Sequence, residues 1–539
     1  MIATLLALRL GRWGIIGFSG LAFVASIIQA VGFYQIAGPS PAERAAFAQS
    51  MSVLASQFSV ILPPPSRLDT VGGYVQWRAF GGLAILFAVW ALASASGAAR
   101  GDEERGVVEA LLTSGVTRLG LIGSRVVAFA ASSVIAAMAA GLGVVVGVTT
   151  GGESVSAGSV LEAVLILAAL GLSCYSLTLF VAQLTAARIA TAASGMLLLA
   201  LFLVNSLSHT FSSLSLVRWL SPFRYYELNQ PLASGSVDLK AVAMLLAIGF
   251  AGGAAAAIAF GSRDLGSPLI RLPVRSHLTT SEVSRQPLWL IPVARGLYER
   301  RAGIAMWAAG MAALGAVFVA MTKSIIQPML SIPALAQFFS TFLHGPVYAT
   351  FLGYVWFGTA ELLFAAFAIA QVARWSAEDS DGRLELILAN PQSRALVVVE
   401  RAIVLGLGAT FVAAVSGVAV GIASQNQGMS IGGDRLATAT LLLVPFALVF
   451  AAAGSLLAAW NPRGAVGLLG AFAFASYLIS EVGPLFKWPE WIQNFSAFKL
   501  YGTPVSSGVD RTGLLTMLAI IVVGFGASIL VMERRDVGA

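Results

Sequence analysis

The sequence predicts an all-α polytopic membrane protein, with twelve transmembrane helices arranged as two parallel six-helix repeats. Composition gives the first reason. Of 539 residues, 58% are hydrophobic and 11% charged, with a mean hydropathy of +0.86, whereas soluble domains carry roughly 25% charged residues. The apolar residues also gather into runs of about twenty, the length a helix needs to cross the hydrocarbon of a bilayer. Finally, segments of the first half recur in the second. A single aqueous core is excluded, because such cores stop growing near about 250 to 300 residues. Cys174 is the one cysteine, which excludes an intrachain disulfide and a cysteine metal cluster, and His209, His277 and His344 are too scattered for a metal site. The net charge of +7 does not mark a nucleic-acid binder, since the arginines lie between apolar runs rather than in a patch interleaved with aromatic residues.

Residues 5–13, apolar with Arg9 and Arg12, read equally as an interfacial elbow or as a frayed basic segment near anionic lipid, before a first span at 14–36. This opening is not a cleaved signal, because its apolar stretch is too long and lacks a small-residue cleavage site. Outside the membrane, Phe47, Met51, Leu54, Phe58 and Ile61 recur every three or four residues, the stripe of an amphipathic helix. Spans at 74–98, 121–148, 158–182, 189–207 and 240–260 complete a first half, residues 1–262. A basic linker at 263–302 carries seven arginines and ends in a second elbow at 288–298. Spans at 303–322, 347–373, 402–423, 436–459, 464–482 and 513–532 form the second half, residues 303–539. Segments 208–239 and 483–512 are too short and polar to cross and return, so small extracellular helices are expected there. No run shows the dyad alternation of a membrane barrel, so each must satisfy its backbone groups as a helix.

Arginine placement sets the orientation, because cytoplasmic loops carry the Lys/Arg excess. With both termini cytoplasmic, 21 of the 32 basic residues fall inside, and all four lysines, Lys240, Lys323, Lys487 and Lys499, fall outside.

The repeat is specific. Gly106-Val107-Val108-Glu109-Ala110-Leu111-Leu112, then Thr117-Arg118 and Arg125, match Gly382-Arg383-Leu384-Glu385-Leu386-Ile387-Leu388, Ser393-Arg394 and Arg401 at an offset of 276. Ser221-Pro222-Phe223-Arg224-Tyr225-Tyr226 matches Ser496-Ala497-Phe498-Lys499-Leu500-Tyr501 at 275, and Arg263-Asp264-Leu265-Gly266 matches Arg535-Asp536-Val537-Gly538 at 272. Six spans per half put both halves in the membrane in the same sense, as parallel repeats.

After the second span of each half, acids precede a short amphipathic helix, which suits the positive N-terminal end of a helix dipole. Val107, Val108, Leu111 and Leu112 form its apolar stripe. Ser114-Gly115 or Asn390-Pro391 ends it, Thr117 or Ser393 caps the next span, and Arg118 and Arg394 are placed to snorkel to headgroups. A solvated basic loop would satisfy composition equally well, but not the paired register.

Acids, Gly-x-x-Glu-x-Leu-Leu, a turn and Ser/Thr-Arg before a span resemble the coupling-helix signature of ATP-binding-cassette permeases of the second type (ABC-2). Ser221-Pro222-Phe223-Arg224-Tyr225-Tyr226 resembles the stretch those permeases carry before their last span. With both motifs in both halves, the chain is most similar to fused double-length permeases of actinobacterial polyketide-antibiotic and multidrug export. The resemblance implies that Glu103, Glu104, Glu109, Leu111 and Leu112, with Glu378, Asp379, Glu385, Ile387 and Leu388, contact an ATPase. Pro222 is replaced by Ala497 in the second half, and Gly115 stands where Pro391 does, so the halves need not couple equally. Implied partners are two copies of a cytoplasmic nucleotide-binding subunit, membrane lipid and a small amphipathic substrate. The chain itself needs no cofactor, since none of its lysines follows a glycine as a P-loop requires. ATP and Mg would belong to the partner, making this chain a non-enzymatic permease in a bacterial plasma membrane.

For the substrate path, ionisable residues at membrane depth are the informative ones. Glu361 lies near the middle of its span, its repeat equivalent is Ile85, and it reads equally as lining a path for cationic or amphipathic compounds or as a structural hydrogen bond to a neighbouring helix. Trp356, Phe364, Phe87 and Trp90 are candidates for an aromatic wall, and Asn205 for a path residue or, with Gln183 and Gln371, for interhelical glue. A gradient-driven secondary transporter of the twelve-helix type is the alternative, but the acidic loop after the second span lacks the basic pattern of that class.

Overall fold

The computed structural model describes residues 2–57, 64–209, 212–270, 291–330, 347–380, 382–389, 392–429, 431–485 and 488–535. These are predominantly helical, the one strand-like feature among them being an isolated bridge between Gln230 and Ser236. Two compact units, Met1–Ser276 and His277–Ala539, divide the chain. Among the described residues, eleven helices are long and apolar enough to cross a membrane, and a shorter apolar helix, Gly464–Ser480, stands where the remaining span was expected. This is a polytopic membrane protein.

In the first unit the helices are α1 (Ile2–Ile36), α2 (Pro41–Gln57), α3 (Val71–Glu104), α4 (Val107–Thr113), α5 (Arg118–Thr149), α6 (Ala157–Leu184), α7 (Ala187–Leu207), α8 (Pro222–Glu227) and α9 (Leu239–Ser262). No separate elbow precedes α1. It runs unbroken for 35 residues, about 52 Å at 1.5 Å per residue, well beyond the ~30 Å of bilayer hydrocarbon. Nothing in residues 5–13 stops it, since glycines such as Gly11 weaken a helix without ending it. Helix α2 starts with a capping box, Ser40 and Glu43 exchanging hydrogen bonds at 2.9 Å and 3.2 Å. Its Phe47 and Met51 rest on the core of the unit, as the amphipathic stripe requires. Phe58 and Ile61 of that stripe lie outside the described residues.

Helix α6 is central, with most of its length buried. Helix α5 packs along α1 through small residues: a Cβ added at Gly143 would stand 2.4 Å from the Phe23 carbonyl oxygen, so only glycine allows this approach. Helix α3 contains two π-helical turns, Gln76–Phe80 and Gly97–Gly101.

The second unit repeats the scheme: α10 (Pro292–Leu330), α11 (Tyr348–Asp379), α12 (Arg383–Leu388), α13 (Arg394–Asn426), α14 (Gly433–Trp460), α15 (Pro462–Leu485), α16 (Glu490–Gln493) and α17 (Arg511–Arg534). The second elbow is likewise continuous with its span from Pro292, and residues 288–290 lie outside the described residues. A π-helical turn recurs in α11 at Gly353–Phe357. The expected small helices between the last two spans of each half are present as α8 and α16 with neighbouring 3-10 turns.

Candidate functional site

Each short helix after the second span is set by a glycine in left-handed conformation, Gly106 at φ 73° and Gly382 at φ 71°. This turn lets α3 and α11 stop and α4 and α12 leave at a new angle, at no cost to a residue without Cβ. Val108 and Leu384 are fully buried and pin α4 and α12 to their own halves. Helix α4 ends at Ser114 and Gly115, whose φ is 92°. Asn390 and Pro391 lie outside the described residues. Thr117 and Ser393 then cap the next spans, accepting from the amides of Gly120 at 3.0 Å and Leu396 at 3.2 Å.

Two ion-pair clamps hold these segments. Glu103 is buried and receives both guanidinium nitrogens of Arg263, at 2.8 Å and 2.6 Å, with Arg100 at 3.0 Å and the Gly266 amide at 2.6 Å. Arg263 also donates to Gln183 at 2.9 Å, and Arg100 to the Ala182 and Thr185 carbonyls at 2.8 Å and 2.6 Å. One carboxylate thus ties together the ends of α3, α6 and α9. In the second half Asp379 receives Arg535 at 2.5 Å and 3.3 Å. Arg118 and Arg394 bind the ends of the last spans. Arg118 donates to the carbonyls of Phe260, Gly261 and Arg263, and Arg394 to those of Met532, Glu533 and Arg535. The last carbonyls of α9 and α17 have no partners within their helices and form the negative end of the helix dipole.

The expected contact residues therefore divide. Glu104, Glu109 and Glu385 are exposed, and Leu386, not singled out from sequence, is 72% exposed. Leu111 and Leu112, with Ile387 and Leu388, are half-buried against their own halves. Glu103 and Asp379 are turned inward to the clamps. Glu378 is half-buried and pairs with Arg401 at 2.7 Å, as Asp102 pairs with Arg125 at 3.0 Å.

Among the aromatic candidates, Trp90 lines open space. An open cleft of about 440 Å³ lies between α1, α3, α5 and α6 in the first unit, lined by Gly14, Trp90, Asp102, Arg125, Phe129 and Tyr175. Trp90 meets Phe129 with ring centroids 4.9 Å apart, and Phe129 stacks on Tyr175 at 4.2 Å. Phe87 is wholly buried behind this wall, edge-on to Trp90. Trp356 and Phe364 are buried in the core of the second unit. Trp356 sits in the π-helical turn of α11 against Phe318 at 6.1 Å.

Glu361 is buried in α11. Burial and then its charge hold the Tyr501 phenol well above the ordinary range, so that hydroxyl is a donor, to the Ala439 carbonyl at 2.8 Å. The matching Tyr226 hydroxyl donates to the Phe80 carbonyl at 3.0 Å. Asn205 donates to Glu227 at 2.7 Å, with His209 on the other carboxylate oxygen at 2.7 Å. That buried cluster was not anticipated. Its one sequence signal is that Glu227 directly follows Tyr226.

Residues 15–265 match the family model described as ABC-2 family transporter protein. Residues 292–532 match the C-terminal domain of the multidrug efflux system permease Rv1217c. Between them the two matches span nearly the whole chain. No curated protein matches it.

Proposed function

This chain belongs to the ABC-2 type permeases, and on that premise we propose that it is the membrane-embedded translocation subunit of an ATP-driven exporter. Two copies of a separate cytoplasmic ATPase would dock on α4 and α12 and drive alternating access. Amphipathic drug-like compounds are the proposed cargo, in keeping with the multidrug efflux named for the relative matched by the second half. The observation that carries the reading is the duplicated segment itself. In each half an exposed acid on a short helix, Glu109 or Glu385, projects beyond a base clamped to the end of the last span. Such a helix is a lever: force on its outer face passes through a buried ion pair rather than being lost in a loose loop.

ATP and Mg would be held by the partner, since no P-loop lysine stands in this sequence. The arginine-rich ends of the spans would then face the cytoplasm of a bacterial cell, with both termini inside. The test is gentle purification of the tagged chain from native membranes. A P-loop subunit at two copies per permease supports the reading. A chain that purifies alone, with transport that collapses when the proton gradient is dissipated, overturns it.

A further inference from the structure

The cleft of the first unit carries charge that the clamps do not use. Its polar end holds Asp102, Arg105 and Arg125, one carboxylate against two guanidinium groups. Asp102 is fully engaged, with Arg125 at 3.0 Å on one oxygen and Arg105 at 3.4 Å on the other. Arg125 is not. Its one hydrogen bond among the described residues is that to Asp102, while a guanidinium offers five N–H donors. The side chain is 6% exposed and stands seven residues into α5 from Arg118, about 10 Å deeper along the helix at 1.5 Å per residue. A buried arginine at that depth with unused donors bordering a cleft is costly unless something accepts from it.

The second half shows the same ion pair with different neighbours. There Arg401 pairs with Glu378, lies 5.8 Å over the Trp375 ring, and has Arg300 beside the same carboxylate at 3.8 Å. In the repeat register the lining residue Ala98 corresponds to Arg374, beside the lining glycine Gly97. A Cβ built on Gly97 or on Gly14 across the cleft meets nothing within 4 Å. The first-half cleft, at about 440 Å³, falls in the range of small-molecule sites, about 300 to 1,000 Å³.

We propose that this cleft binds an anionic amphiphile, its carboxylate or phosphate taken by Arg125 and Arg105 and its apolar body laid along Trp90, Phe129 and Tyr175. A cation is disfavoured because the only carboxylate is already shared by two arginines. The site lies wholly within the first unit. Calling the ligand cargo rests on the export reading, but binding itself does not. It is measured on the full chain without an ATPase, so loss of the ATPase reading leaves this result standing.

The probe is 11-(dansylamino)undecanoic acid, titrated by fluorescence against the full chain in nanodiscs of phosphatidylcholine, with empty nanodiscs subtracted. The acid is expected to bind saturably and its methyl ester at least about tenfold more weakly, the loss expected when a charge-assisted hydrogen bond is removed. Arg125→Gln should erase the preference for acid over ester, and Gly14→Leu, which fills the cleft without touching an ion pair, should abolish saturable binding of both. Equal binding of acid and ester by the wild type, or wild-type binding by Gly14→Leu, overturns the proposal. Replacing a third of the lipid by phosphatidylglycerol separates the sources. A rise of about tenfold or more in apparent Kd identifies a lipid headgroup as the natural occupant, and an unchanged Kd a free amphiphile.

Discussion

Replacing Glu103 by glutamine removes one charge from the most densely bonded ion pair in the first half and keeps its shape. The carboxylate side chain is 5% exposed and that of its partner Arg263 1%, so water cannot substitute for what is lost. Arg263 and Arg100 would be left buried beside a neutral amide whose NH2 group cannot accept from them. Removing one member of a buried pair costs about 3 to 5 kcal/mol, and the Gln183 and carbonyl contacts that Arg263 and Arg100 retain place Glu103→Gln toward the lower end, near 3 kcal/mol. Equilibrium unfolding in mixed micelles of dodecyl maltoside and dodecyl sulfate measures it, with Glu109→Gln as an exposed control expected within about 0.5 kcal/mol of wild type. Arg263→Gln should cost a similar amount, and the double variant less than the sum, by about 1.5 kcal/mol or more. A Glu103→Gln protein as stable as the control, or strictly additive single effects, would refute the clamp.

Asp379→Asn should do the same more weakly, by about 1 to 2 kcal/mol, because Asp379 and Arg535 are 11% and 24% exposed and water partly screens the pair; a loss equal to that of Glu103→Gln would contradict this ranking. Gly106→Val and Gly382→Val force a branched residue into left-handed backbone at about 1 to 2 kcal/mol each and re-aim α4 or α12, so expression should persist while ATPase retention on an affinity column falls; undiminished retention would count against the lever. Glu361→Gln should alter the range of compounds exported more than ATPase assembly, measured with matched cationic and neutral dyes; equal transport of both before and after the change would remove Glu361 from the path.

Much of this was legible in the chain because duplication writes the same physics twice. Gly106 and Gly382, Thr117 and Ser393, and the acids ahead of them are local signals, and each lies in the structure where its residue type requires. What pairs across the fold was not legible. Glu103 and Glu104 are neighbours of one residue type, yet one is buried in a clamp and the other exposed, since the facing Arg263 comes from a helix 160 residues away. Nor does the sequence show that Arg118 and Arg394 meet the carbonyl ends of α9 and α17. The π-helical turns of α3 and α11 have no compositional signal. The cleft is lined by Gly14, Gly97 and Ala98, which in sequence are simply part of apolar runs. Aromatic candidates were equivalent on paper, and packing alone separated Trp90 at the cleft from Trp356 and Phe364 in the core.

The central claim is that α4 and α12 are where an ATPase pushes. Its most direct test is Glu109→Arg combined with Glu385→Arg, both exposed and both outside the clamps, followed by purification with the native P-loop subunit and a count of ATPase copies per permease. The account predicts a folded, membrane-inserted chain that has lost both copies, with each single variant retaining the copy on the opposite half. Two copies retained by the double variant would contradict it.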